Sequence, residues 1–304
     1  MAASEFDLRP MSVGDILDRT VGFYRRHFLY VVRTVAVVAP VLGPLSIWRP
    51  SLTDLMANWP AQRGVQEIAW WMLLYVAEGW FFSLGQGAIA YSIAMSFVGE
   101  APTVRACYRR ALRRSGAMVW IAGLTSLVWA AGIELPIEMG LLLAVEGLEA
   151  WDLGTGSLLG LSMGLLIPGA IVSFFVALAV PAIVIENIGA LAALRRSLRL
   201  MRRNGWRAVL VFLFGFALSL IAILVLWLPV VVLGIWIPKA ESKIVQDVMA
   251  QLAILLAVPP MAIAYTLLYF DSRIRHEALD LSVMADSLGA GPKAAGALAG
   301  QEMP

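Results

Sequence analysis

Charge is what this chain has least of: acidic and basic residues together fill 14% of its 304 positions, where a soluble domain carries about 25%. That scarcity excludes a wholly solvated surface, and a hydrophobic share of 60% assigns most of the chain to lipid. Cysteine is nearly missing too. The single thiol, Cys107, excludes an intramolecular disulfide, and no C-x-x-C or Cys/His spacing suggests a metal site. Histidine is limited to His27 and His276, and there is no G-x-S-x-G, no G-x-x-x-x-G-K-[ST] and no H-E-x-x-H. The sequence therefore nominates no catalytic residue, metal or cofactor, and no nucleic-acid partner is expected. A small-residue cleavage site is also lacking between the charged N-terminal residues and Trp48, so the first apolar stretch is read as an uncleaved span.

Long apolar runs are what the chain has instead. Six regions reach the ~20 residues that cross a bilayer: about 28–48, 67–98, 116–146, 157–184, 206–237 and 247–270. The expected fold is all-α, a polytopic membrane bundle of six transmembrane helices in one domain, residues 1–284. Several runs exceed one crossing, which tilt, an outer extension or a kink at Pro40, Pro44, Pro136, Pro168 or Pro229 would absorb.

Arginine and lysine set the expected orientation. Eighteen of them fall before the first span, in the second and fourth connections and after the sixth span, against four (Arg49, Arg63, Lys239 and Lys243) on the other side. The basic side is cytoplasmic by the positive-inside rule, with both termini there and the chain in the plasma membrane. Tryptophan is polarised oppositely, since Trp48, Trp59, Trp70, Trp71, Trp151, Trp227 and Trp236 map near the outer face as an interfacial belt would.

A plan recurs three times: a basic amphipathic elbow helix at about 12–27, 102–114 and 190–204, paired arginines, then a hairpin of two spans. In the first elbow, Ser12 and Asp15 form a capping box, and Ile16, Leu17, Thr20, Val21, Tyr24 and Phe28 share a face. In the third, Leu191, Leu194, Leu198 and Met201 make an apolar stripe, with Arg195, Arg199 and Arg202 on another face. Such helices are expected to lie in the membrane surface, apolar side down. Arg25, Arg26, Arg113, Arg114, Arg195, Arg199, Arg202 and Arg203 are the candidate site for anionic lipid headgroups or a phosphorylated ligand; orientation alone would also account for them.

Three polar stretches, LRPMSVGDILDRTVGFYRRHF at Leu8 to Phe28, PAIVIENIGALAALRRSLRLMRRNGWRAV at Pro181 to Val209 and YFDSRIRHEALDLSVMA at Tyr269 to Ala285, carry a family likeness. Across roughly Leu8 to Ala285 the chain resembles the membrane domain of glycerophosphoryl diester phosphodiesterases, found also as stand-alone multi-pass bacterial membrane proteins. The resemblance implies a six-helix bundle in the bacterial plasma membrane. It carries no catalytic residue onto this chain, because in the full-length enzymes the active site belongs to a separate soluble barrel that is not expected here.

Three acids sit in apolar surroundings: Glu78 in the second span, and Glu134 and Glu138 on one face of the third, about Pro136. Counting inward from the basic side places Glu78 and Glu134 at the outer boundary, where they form either a solvated vestibule or the mouth of a cation or substrate path. The small-residue spacings Gly156, Gly160, Gly164 and Gly79, Ser83, Gly87 are assigned to internal helix packing. After the sixth span, a surface helix is expected over about 271–288, beginning at Asp271 and carrying an Arg273 to Glu277 pair. Residues 289–304 have little to bury and are expected to be disordered.

The leading functional expectation is a non-enzymatic membrane module that binds lipid, a membrane partner protein, or both. The alternative is a transporter or lipid-moving protein for an anionic or amphiphilic substrate, and the third is an intramembrane lipid-modifying enzyme.

Overall fold

The computed structural model of the chain describes residues 10–48, 64–97, 99–134, 153–236 and 243–277. Every regular element among them is helical. The first elbow is α1 (Val13–Arg26), followed by α2 (Phe28–Ala36), α3 (Ala39–Trp48) and the long α4 (Gly64–Phe97). The second elbow, α5 (Val104–Leu112), leads into α6 (Ser115–Trp129), which ends in a π-helical turn at Ala130–Glu134. Next come α7 (Leu153–Val176), α8 (Ala179–Glu186), the third elbow α9 (Ala190–Asn204), α10 (Trp206–Trp236) and α11 (Lys243–Glu277).

Local chemistry accounts for the boundaries. Ser12 and Asp15 cap α1 reciprocally, the Ser12 hydroxyl accepting from the Asp15 amide at 3.1 Å and the Asp15 carboxylate from the Ser12 amide at 2.8 Å. Thr103 caps α5 one way only, its hydroxyl accepting from the Ala106 amide. Proline makes two breaks. Pro40 lies in the first turn of α3 and Pro181 in the first turn of α8. Each ring would meet the carbonyl four residues back, at Ala36 and Ala177, so the preceding helix stops there. The first break bends α2 against α3 by 46°. At the second, the buried Ser197 hydroxyl restores the lost bonding: it donates to the Phe175 carbonyl at 2.6 Å and accepts from the Leu178 amide at 3.1 Å. Gly205, at φ 48°, turns the chain from α9 into α10.

Four helical stretches among the described residues are long and apolar enough to cross a membrane: Gln66–Phe97, Ser115–Gly132, Ile167–Glu186 and Leu255–Glu277. The bent pair α2 and α3 makes a fifth if taken as one span, and Trp206–Leu218 is apolar over a shorter length. α11 is the central post, packed against α10, α1, α2, α3 and α4. The core sits at the end of the bundle that carries the elbows. There all of Ala179–Ile185 is buried, with Ile89, Ile93, Met118, Leu268 and Phe270, whereas Leu213, Ile221, Val225 and Leu228 along α10 are exposed.

Several expectations change. No surface helix begins at Asp271: α11 runs unbroken to Glu277, and Phe270, Asp271 and Ser272 are all fully buried, because α1, α9 and α10 close over them. The elbow faces are rotated. α9 buries Ala193, Ser197, Leu200, Met201 and Asn204, with Leu194 packed against the core, and leaves Leu191 61% exposed, so Met201 of the expected stripe docks while Leu191 turns outward and small and polar residues share the docking face. α1 buries Ile16, Thr20 and Phe23 while Val21 and Phe28 stay exposed. Trp71 is not a belt residue; it is buried and stacked on Tyr75 at 5.1 Å, while Trp70 is exposed. A Cβ at Gly79 would lie 2.6 Å from the Ser126 hydroxyl, and one at Gly87 2.8 Å from both Met118 and Val184, so these glycines do bring helices together. Gly160 and Gly164 instead face open space among the described residues. The expected tail at 289–304, residues 278–288 and the third span beyond Glu134 lie outside the described residues.

Candidate functional site

α9 has five arginines among its fifteen residues and no acidic residue. Helical geometry divides them. Arg196 lies beside the buried stripe and turns inward; Arg195, Arg199, Arg202 and Arg203 lie outward and are exposed. The inward arginine is the hub of an ion network. Its guanidinium donates to Glu186, at the end of α8, at 2.6 and 2.9 Å, and forks onto both oxygens of Glu277, at the end of α11. The buried Tyr269 hydroxyl donates to the same Glu186 oxygen. Arg273 closes the group, 3.3 Å from Glu277 and 3.8 Å from Glu186. Burial alone would weaken the Arg196 charge, but the hydrogen bond to Glu277 and the field of Glu186 hold its pKa above the usual arginine value.

A second ionic knot lies on the other side of α11. The Asp271 carboxylate is fully buried; it accepts from the Met11 amide at 2.7 Å and pairs with Arg275 at 3.1 Å and Arg207 at 3.2 Å. Arg207 and Arg275 both donate to the Met11 carbonyl. The backbone of Met11, just before α1, is thus gripped through both its amide and its carbonyl. Asn204 adds a bond to the Ser272 hydroxyl. The second elbow is tied by a third device: Arg110 donates to the carbonyls of Val184 at 3.0 Å and Ile185 at 3.2 Å, capping the C-terminus of α8. Arg114 reaches the side chain of Asn187, which closes α8 in the left-handed conformation at φ 57°.

The outward arginines have a different setting. Arg195, Arg199, Arg202 and Arg203, with Leu198, line a shallow open cleft of about 370 Å3. Positions 191, 195, 198 and 202 recur at i, i+4, i+7 and i+11, so one face alternates leucine with arginine. The Arg202 guanidinium lies 5.9 Å from the centre of the Phe175 ring. No described carboxylate pairs with these four arginines.

The structure therefore brings together four of the eight expected headgroup residues. Arg25 and Arg26 are exposed in the last turn of α1, Arg113 and Arg114 are exposed at the end of α5, and none of them lines this cleft. Of the expected acidic cluster, Glu78 is half-buried beside the α4 to α6 contact at Gly79, where the Ser126 hydroxyl donates to the Tyr75 carbonyl at 3.2 Å. The Glu134 side chain and all of Glu138 lie outside the described residues. Sequence reading missed Glu186, Arg196, Arg207, Asp271 and Arg275. The available signal was Ala193 and Ser197, small residues that mark the docking face of α9 next to Arg196.

Compared with known proteins, residues 112–270 match a domain family described as a domain of unknown function (DUF7847), more than half of the 304 residues. The chain belongs to the DUF7847 family. The DUF7847 segment holds all five arginines of α9 together with Glu186, the partner of Arg196, and the buried Tyr269, and ends one residue before Asp271. No curated protein and no solved structure matches the chain.

Proposed function

We propose that this DUF7847 protein is a non-enzymatic integral membrane module that gathers anionic lipid headgroups on the outward face of α9. The observation that carries this reading is the sorting of arginines on one helix. Arg196, which stabilises the fold, turns inward onto Glu186 and Glu277, while the other four remain in one cleft without a described anionic partner. Anionic headgroups complete the charge balance, and the neighbouring leucines suit the boundary between headgroups and acyl chains. We further assign the chain six spans in three elbow-and-hairpin units, with both termini cytoplasmic, in the bacterial plasma membrane. The likeness to the membrane domain of glycerophosphoryl diester phosphodiesterases is taken as one of architecture.

A lipid-binding module is favoured over a transporter by the interior. Among the described residues, the gap bordered by Gln86, Pro181, Tyr265 and Thr266 has no room for a water molecule. The test is lipid retention. In nanodiscs of mixed phosphatidylglycerol and phosphatidylcholine, native mass spectrometry should find phosphatidylglycerol enriched on the wild-type protein. The enrichment should be lost when Arg195, Arg199 and Arg202 are together replaced by Gln. Equal enrichment in both proteins would sink the reading and leave these arginines a role in topology alone.

A further inference from the structure

We infer that the α9 cleft is a site for a lipid with two phosphates, of the cardiolipin class, rather than for single-phosphate lipids. The inference rests on the headgroup reading above and narrows it.

Charge and reach come first. From Arg195 to Arg203 the helix advances about 12 Å at 1.5 Å per residue, and four exposed arginines, each ending in a guanidinium fork, border the cleft over that distance. One phosphate is held by one or two such forks. Four forks along two turns exceed what a single phosphate occupies and match two phosphates held a fixed distance apart.

The apolar part of the site separates a lipid from a soluble diphosphate. Leu198 lies inside the cleft between Arg195 and Arg202, Leu191 is exposed one turn earlier on the same face, and Phe175 of α7 lies beneath Arg202. A soluble anion gains nothing from these surfaces. Acyl chains attached to the two phosphates cover them, and joining both phosphates in one molecule makes the second contact intramolecular, which raises its effective concentration to the millimolar range.

The inference is tested on the full-length protein in phosphatidylcholine nanodiscs, titrated with either tetraoleoyl cardiolipin or dioleoyl phosphatidylglycerol at equal negative charge. Native mass spectrometry should show one cardiolipin per chain, retained at least about ten-fold more tightly than phosphatidylglycerol. Inorganic pyrophosphate in excess should not displace it. Equal retention per charge would overturn the two-phosphate assignment while leaving the headgroup reading intact; no preference for either anionic lipid would remove both. Displacement by pyrophosphate would show a site for soluble diphosphate and overturn the lipid assignment. The substitution R195Q/R199Q/R202Q should abolish the preference for cardiolipin, and R25Q/R26Q, outside the cleft, should retain it. Because the titration is read first on the wild-type chain, misfolding of a variant cannot imitate either result.

Discussion

Arg195 and Arg196 are neighbours in sequence with the same side chain, and they serve opposite ends. One peptide step rotates Arg196 onto Glu186 and Glu277, where its guanidinium is 16% exposed, while Arg195 opens onto the cleft. Basic charge here divides into a part spent within the protein and a part left available. The division follows the carboxylates: among the described ion pairs, Glu186, Asp271 and Glu277 take up Arg196, Arg207, Arg273 and Arg275. Arginine density alone therefore does not locate a binding face; arginine unmatched by acid does.

Five substitutions break or sharpen that contrast. The largest effect is expected for Asp271→Ala, which strands two arginines and the Met11 amide around a fully buried position. A loss of about 3–5 kcal/mol is expected for breaking such a pair, read as a lowered melting temperature of the detergent-solubilised protein by tryptophan fluorescence. Next is Arg196→Gln, which removes the charge-assisted bonds to Glu186 and Glu277 and should cost about 1.5–3 kcal/mol in the same assay. Gly87→Ala places a methyl against Met118 and Val184 and should cost about 1–3 kcal/mol. The corresponding Gly164→Ala, into open space, should be neutral or slightly stabilising. Smallest is Arg195→Gln, which should leave the melting temperature unchanged and lower only the enrichment of anionic lipid. A large loss of stability at Arg195 would erase the distinction between the two faces.

Much of this fold was legible because it is local. The third elbow begins and ends where its composition indicates, at Ala190 and Asn204, the Ser12 and Asp15 capping box forms, and Arg273 meets Glu277 one turn away. What escaped is long-range or rotational. Pairing of Asp271 with Met11 joins positions 260 residues apart, and no local pattern encodes it. The facing of α9 is set by Ser197 and Asn204 as well as by Leu200 and Met201, which a leucine stripe alone does not show. In a bundle surrounded by lipid, leucine gains as much from acyl chains as from protein, whereas Ser197 and Asn204 gain bonds only by facing inward. The three polar stretches, read from sequence as one likeness, meet in the structure through Met11, Arg196, Arg207 and Asp271.

The grip on Met11 also has a bearing on the order of synthesis. The backbone of Met11, near the start of the described residues, is held by side chains from Arg207, Asp271 and Arg275, the latter two from the last described helix. At about 5–20 residues per second, on the order of tens of seconds separates their emergence from the ribosome. During that interval α1 has its capping box but not its anchor in the final helix. Closure of the bundle is therefore a late event, and a nascent chain stopped short of Asp271 should leave its N-terminus open to protease.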